Sequence, residues 1–306
     1  GDQVEVQPAG VGARIRALQN HHEEREELPP GTRCALNLVG VAHTQVQRGD
    51  VVVGPGQWHL ATVVDASLRV LDQLDHSVSR RGAHVAYLGA GEHPVRMRIL
   101  GPEALGPGRE GSVRLFLPRA LPLLPGDRFV LRESGRAETV GGGCVLDVDP
   151  RERASRARPD RSVDRVVRER GWVGSDELER LTGERREPDV GQWVVDPEAL
   201  QTTLAGLREA LDESGPLGVE LSSLDDYQRA AAALLDEAAI DGGRLRAADE
   251  TDPLVDHPFV AALEATPLAP PAPARVDRVE VDRKGALWGK RADTGGRRLS
   301  KNKNTT

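Results

Sequence analysis

Residues 126–150 read GDRFVLRESGRAETVGGGCVLDVDP, and this stretch decides the architecture of the N-terminal half. A Gly-Asp turn leads into the strand-like RFVLRES. A second strand-like run, GCVLDV, closes the stretch before Asp149-Pro150. Ser134-Gly135 and Gly141-Gly142-Gly143 punctuate the interval, so the segment reads as a hairpin. Arg128, Arg132 and Arg136 gather around it with Asp127, Glu133 and Glu138.

Working outward toward the N-terminus, the same grammar repeats. DQVEVQ, ARIRALQ, RCALNLVGV, GDVVVG, ATVVDASLRVL, AHVAYLG, VRMRIL and GSVRLFLP are short, alternating or β-branched, and set apart by Gly, Pro and Asp. Several short strands at such spacing predict barrels or sandwiches. Residues 21–31 carry four Glu and Pro29-Pro30 and read as a solvated excursion between strands. A break at Gly54-Pro55-Gly56 divides the half in two.

Beyond Pro150 the character changes. An Arg-rich segment, 151–160, has no apolar period and reads as a linker. Residues 161–170 place Val163, Val166 and Val167 on one helical face, and Ser175 precedes the helix DELERL. Trp193-Val194-Val195 reads as a short strand, and Asp196-Pro197 opens PEALQTTLAGLREALDESG. Helix, turn, helix, strand, helix is the order of a winged-helix unit. A second run, a helix over 225–237 and then Leu245-Arg246 beyond Gly242-Gly243, could be another. PLAPPAP, residues 267–273, reads as a linker.

Composition narrows the function. The chain has 306 residues and a net charge of -7, with 3% aromatic residues and 33 Gly and 21 Pro, which favours small units over one large enzyme core. No apolar run approaches the roughly 20 residues that span a bilayer. Cys34 and Cys144 are the only cysteines, too few for a disulfide framework, and both read as buried strand residues. Met97, the one methionine, reads as core, as do Trp172 and Trp193. All four Lys lie at or beyond position 284, so the tail reads as disordered basic material. The chain begins at Gly1 rather than Met, which reads as processing or as a piece of something longer.

No catalytic set emerges. The eight His show no H-x-x-x-H or H-E-x-x-H spacing, so no metal site is expected, and His21-His22 reads as a solvated turn. There is no G-x-S-x-G elbow and no G-x-x-x-x-G-K-[ST] phosphate loop, so no cofactor is expected in this chain. The glycine triplet 141–143 would let another backbone, or an RNA strand, approach closely. For the arginine hairpin, phosphate contact competes with a solvated strand edge. Composition favours the edge, because residues 1–150 hold 16 basic against 18 acidic side chains.

A family resemblance changes that balance. Residues 126–150 resemble the closing strands of the third domain of translational GTPases of the elongation factor Tu kind, where R-F-x-[IL]-R-E-x-G-R-T-x-G-x-G is usual. GDQVEVQPAG, ARIRALQNH, PGTRCALNLVGV and VQRGDVVVGPG resemble their second domain. The spacing of these runs is most similar to the bacterial selenocysteine-specific elongation factor. RSVDRVVRERGWVGSDELERLTG and DPLVDHPFVAALEATPLAPP look like the winged-helix segments that follow in that factor. The resemblance covers about residues 1–288.

It implies two translation-factor β-barrels followed by winged-helix units. The first barrel (1–56) is incomplete at its N-terminus, the second spans 57–150, and a linker (151–160) precedes a winged-helix region (161–266). Residues 267–306 hold a linker, the start of a further winged helix and the tail. The implied function is delivery of selenocysteyl-tRNA to the ribosome at a recoded UGA, in the cytoplasm and with no membrane partner. GTP and Mg are implied for the family but not for this chain, whose sequence lacks the GTPase motifs. The mRNA selenocysteine-insertion hairpin is implied as a partner through a further C-terminal unit. The family's selenol-pocket Arg corresponds to Arg33, while the pocket's acidic and His partners would belong to strands preceding this sequence. Arg132, Arg136 and Gly142 match the segment that lies against the tRNA T stem. Two rival readings stand beside this one. The first is a winged-helix DNA-binding regulator, opposed by 17 basic against 28 acidic residues over 151–280. The second is a truncated remnant with open sheet edges.

Overall fold

The computed structural model describes residues 1–248. The described residues divide into two compact units: Gly1–Gly206 with Asp226–Ala231, and Leu207–Asp225 with residues 232–248. Residues 249–266 of the expected winged-helix region, the 267–273 linker and the Lys-bearing tail lie outside the described residues.

The first unit opens with a five-stranded sheet. Its strands are β1 (Gln3–Gln7), β2 (Val11–Asn20), β3 (Glu23–Arg25), β4 (Ala35–Val39) and β5 (Val51–Val53). The order is β3-β2-β1-β5, with β4 also on β2. In β1 alternate residues turn inward, Val4 and Val6 being buried while Gln3 stays exposed. The excursion expected over 21–31 is shorter than its sequence suggests, because β3 lies inside it and pairs with the end of β2. Cys34, expected to be buried, is exposed. It precedes β4, a strand whose residues are all half-buried or exposed.

A closed antiparallel barrel follows. Its wall consists of β6 (Leu60–Val70), β8 (His84–Leu88), β9 (Gly91–Leu100), β11 (Glu110–Pro122), β12 (Arg128–Glu133) and β13 (Glu138–Asp147). Around the barrel the order is β11-β6-β13-β12-β8-β9. The short β7 (Val78–Ser79) and β10 (Ala104–Leu105) pair off the wall. Period-two alternation fills the interior: Val64, Ala66, Leu68, Val113, Leu115 and Leu131 have no exposed surface. Met97 is buried among them as expected.

The glycine triplet answers to backbone crowding. A Cβ at Gly143 would lie 1.8 Å from the Ser67 carbonyl oxygen, one at Gly141 2.4 Å from that of Arg69, and one at Gly142 2.7 Å from that of Phe129. Of the two expected visitors, the neighbouring strands β6 and β12 are the ones that come close.

Past the barrel come α1 (Val163–Arg170), β14 (Trp172–Gly174), α2 (Ser175–Thr182), β15 (Trp193–Val195) and α3 (Pro197–Ser214). Helix α1 starts at Val163 because the Ser162 hydroxyl caps it, accepting from the Arg165 N–H at 3.3 Å. It stops at Gly171, whose φ of 73° carries the chain out. In α2 the expected cap differs. Ser175 is the first helical residue, and its hydroxyl donates to the Arg186 carbonyl at 2.5 Å. Trp172 and Trp193 are half-buried and meet edge-on at 6.5 Å, with Tyr227 5.3 Å from Trp172.

The barrel interior continues into this helical part. Val163, Val166, Val167, Leu178 and Leu181 share one core cluster with Leu123 and Val148. Ion pairs accompany it. Arg114 forks onto Asp65 at 2.6 and 2.8 Å, and Arg165 reaches Asp147 at 2.8 Å, Glu169 at 2.9 Å and Asp160 at 3.0 Å. Burial pulls the Arg165 guanidinium down, but the hydrogen bonds and charges of Glu169 and Asp147 outweigh it and hold the group charged. Burial likewise pushes the Asp65 carboxyl up, and the Arg114 fork offsets only part of that.

The second unit holds a three-stranded sheet of β16 (Val219–Glu220), β17 (Ala238–Asp241) and β18 (Arg244–Ala247), ordered β16-β18-β17. The helix expected over 225–237 is shorter: α4 spans Asp226–Ala232. Leu235 N–H then bonds the Ala232 carbonyl, and Ala238 N–H the Leu235 carbonyl, turning the chain toward β17. No described helix is long and apolar enough to cross a membrane.

Candidate functional site

The hairpin of β12 and β13 projects from one end of the barrel. Its connection, residues 134–137, turns on Ala137 at φ 56°, and the Ser134 N–H ties it to the Ala83 carbonyl at 2.7 Å. Arg132 donates to the Ala137 carbonyl at 2.9 Å, so part of its guanidinium closes the turn. The Arg136 side chain is 55% exposed, and its Nε stands 3.8 Å from Glu133. An exposed pair at that separation holds Arg136 weakly, which leaves it able to meet an incoming anion. Gly142 lies elsewhere: it pairs with Val130 and Arg69 partway along the ladder, where its role is close backbone approach.

Beside this hairpin the strands assemble an arginine cleft that no single segment announced. Arg80 and Arg81 precede β8, and Arg96 and Arg98 lie on the outward face of β9. They line a cleft of about 850 Å³ in which Glu103 is the one acidic residue. Arg96 stacks over the Phe116 ring at 5.0 Å. None of the four forms an ion pair among the described residues, so their charge is available. The sequence signal was the Arg80-Arg81 doublet and the alternation in VRMRIL. Near-neutral composition hid it, because the charges segregate only on folding.

Arg33 sits apart from this surface, in a cleft of about 310 Å³ near the tip of β2. The Asn20 side chain donates to the Arg33 carbonyl at 2.6 Å. His21 and His22, both at positive φ, turn the chain there and line the cleft with Arg33 and Cys34. The solvated His turn thus stands beside the arginine, in a cleft with no acidic lining. A guanidinium with two imidazole neighbours suits a small anionic group.

For the GTP and Mg implied for the family, the glycine triplet is the phosphate-cradle candidate that the sequence offered. The glycine triplet has its backbone engaged with the sheets on both sides and makes no phosphate cradle.

The closed six-stranded antiparallel barrel and its arginine-bearing hairpin have counterparts among translation elongation factors. Residues 65–152 match the family described as the selenocysteine-specific elongation factor, beta-barrel domain. The chain is 28% identical over 147 residues to the selenocysteine-specific elongation factor of Desulfomicrobium baculatum, covering 48% of this chain and 23% of that one. It is 32% identical over 159 residues to elongation factor Tu 2 of Streptomyces avermitilis, covering 49% and 39%. A crystal structure of a bacterial selenocysteine-specific elongation factor superposes with a TM-score of 0.64 at 18% identity, over 95% of this chain and 52% of that one. That last likeness speaks for the fold. Residues 65–152 are thus similar to the β-barrel domain of selenocysteine-specific elongation factors, and the chain spans less than half the length of the curated relatives named.

Proposed function

We propose that the chain supplies the tRNA-binding part of a factor that delivers selenocysteyl-tRNA to the ribosome at a recoded UGA. One observation carries this reading: the barrel that matches the selenocysteine-specific family bears the unpaired arginines and the Arg132/Arg136 hairpin on its surface. Arg136, with Arg132 behind it, would meet the phosphates of the T stem, and guanidinium geometry suits that contact. Arg33 would favour a selenolate, ionised at neutral pH, over the neutral hydroxyl of a seryl group. Gly142 keeps the hairpin's strands packed.

On the same reading the domains are 1–56, 57–150 and 161–266, with 151–160 as linker, and α1, β14, α2, β15 and α3 make a winged-helix unit. GTP hydrolysis, and recognition of the mRNA hairpin through a further unit, belong to other parts of such a factor. The setting is cytoplasmic.

The test compares binding of selenocysteyl-tRNA and seryl-tRNA to this chain by filter retention. The reading expects preference for the selenocysteyl form, erased by Arg33→Ala, and a general loss of both with Arg136→Ala. Equal, weak binding of both tRNAs would sink it.

A further inference from the structure

Three strands of the barrel bring one row of side chains together at its end. In the ladders His84 of β8 stands directly opposite Glu133 of β12, and Glu133 directly opposite Glu138 of β13. Directly opposed residues share a face, so all three point to the interior side. The next layer in, Ala86 and Leu131, is fully buried. His76, from the loop between β6 and β7, comes over the row and places Nε2 2.6 Å from Glu138.

Two features of this row suit a cation. First, one ring nitrogen of His76 and one carboxylate oxygen each of Glu133 and Glu138 lie within 4.8 Å of one another. Like charges facing each other across a ladder are destabilising unless something positive stands between them. Second, His84 is only 3% exposed, and its Nε2 is buried with no hydrogen-bond partner. That nitrogen borders the same gap beside Gly82 as a Glu133 carboxylate oxygen does. It lies 3.3 Å from the point where a Cβ on Gly82 would stand, and a Glu133 carboxylate oxygen lies 3.2 Å from that point. Gly82, at φ 137°, has no side chain to fill the gap. Arg136 and His76 bring positive charge to the carboxylates, but neither hydrogen-bonds His84.

We infer that His76, Glu133 and Glu138, with His84 behind them, form a binding site for a divalent transition-metal ion of the zinc class. Imidazole nitrogen and carboxylate oxygen are the donors such an ion takes, in a tetrahedron with bonds of about 2.0–2.2 Å. The present cluster needs only a modest contraction, with the ion replacing the proton of the His76–Glu138 bond. No spacing motif reveals the site, since its ligands come from separate strands and a loop. The inference goes beyond the tRNA reading and does not depend on it.

The experiment uses the full chain, stripped with chelator and titrated with zinc chloride by calorimetry. One equivalent of zinc is expected. His76→Gln, His84→Gln and the double variant Glu133→Gln/Glu138→Gln should each weaken uptake at least tenfold. In case a variant misfolds, cobalt(II) substitution of the unaltered chain supplies a second readout. Its visible spectrum should report tetrahedral nitrogen and oxygen ligation. No uptake at millimolar zinc overturns the inference, as does uptake that the folded variants leave unchanged. A thiolate charge-transfer band would also overturn it, by placing the ion at Cys34 beside His21 and His22.

Discussion

Arg136 and Arg132 sit four residues apart yet differ in what they can do. Arg132 spends a donor on the Ala137 carbonyl, whereas Arg136 is held only by a 3.8 Å pair with Glu133. Arg136→Ala should therefore weaken tRNA binding and reduce the slope of log affinity against log salt by about one, with the melting temperature unmoved. Arg132→Ala should also lower the melting temperature, because it opens the turn; calorimetry alongside the binding series separates the two. His93 gives a pH prediction at the same scale. Burial, with Arg119 adding to it, pushes its imidazole below the usual histidine range. Between the lowered folded value and about 6.5 the unfolded chain binds more protons, so stability falls as pH drops below about 6.5. The melting temperature should be lower at pH 5.5 than at pH 7.5, and His93→Gln should shrink that gap. An unchanged gap would place the titration elsewhere. The sequence offered both arginines as candidates, but it could not say that one of them is committed to the turn.

At the scale of elements, β13 depends on its glycines and α1 on its arginine. Gly143→Ala would put a Cβ 1.8 Å from the Ser67 carbonyl, a clash only strand separation relieves. A destabilisation of about 1–3 kcal/mol or more is expected, read from the urea midpoint. Gly135→Ala, where nothing stands within 4 Å, should be nearly silent and serves as the control. Arg165→Ala leaves Asp147, with 4% of its side chain exposed, without its partner. Breaking a buried pair in this way costs about 3–5 kcal/mol. If it costs less than about 1 kcal/mol, α1 is held by its valines alone. The strand segments were legible because period-two alternation is a local property. The shortened α4 and the misjudged cap of α2 were not. The Ser175 hydroxyl goes to the Arg186 carbonyl, a partner eleven residues on that local propensity does not register.

For the whole molecule, charge decides. The chain carries a net charge of -7, yet four unpaired arginines converge in one cleft with a single acidic neighbour. Anionic RNA should therefore bind through a local field against the overall sign. Replacing Arg80, Arg81, Arg96 and Arg98 together by Gln should flatten the salt dependence of tRNA binding, by about one unit in the log–log slope for each phosphate that is no longer neutralised. A slope identical to that of the unaltered chain would remove this cleft from the interface.

By itself the sequence determined the β-then-α order, the closing hairpin and, through GDRFVLRESGRAETVGGGCVLDVDP, the likeness to elongation factors. These are carried by contiguous residues, because alternation, turns and motif spacing are written along the chain. Only the tertiary structure decided that His21 and His22 stand beside Arg33, that four arginines share a cleft, and that His84, Glu133 and Glu138 form one row under His76. Each of these depends on strand pairing, the first on β2 with β4 in the five-stranded sheet and the other two on the closed barrel. Strand register sets which side chains face one another across a barrel, and register is fixed by long-range packing that no local stretch of sequence contains.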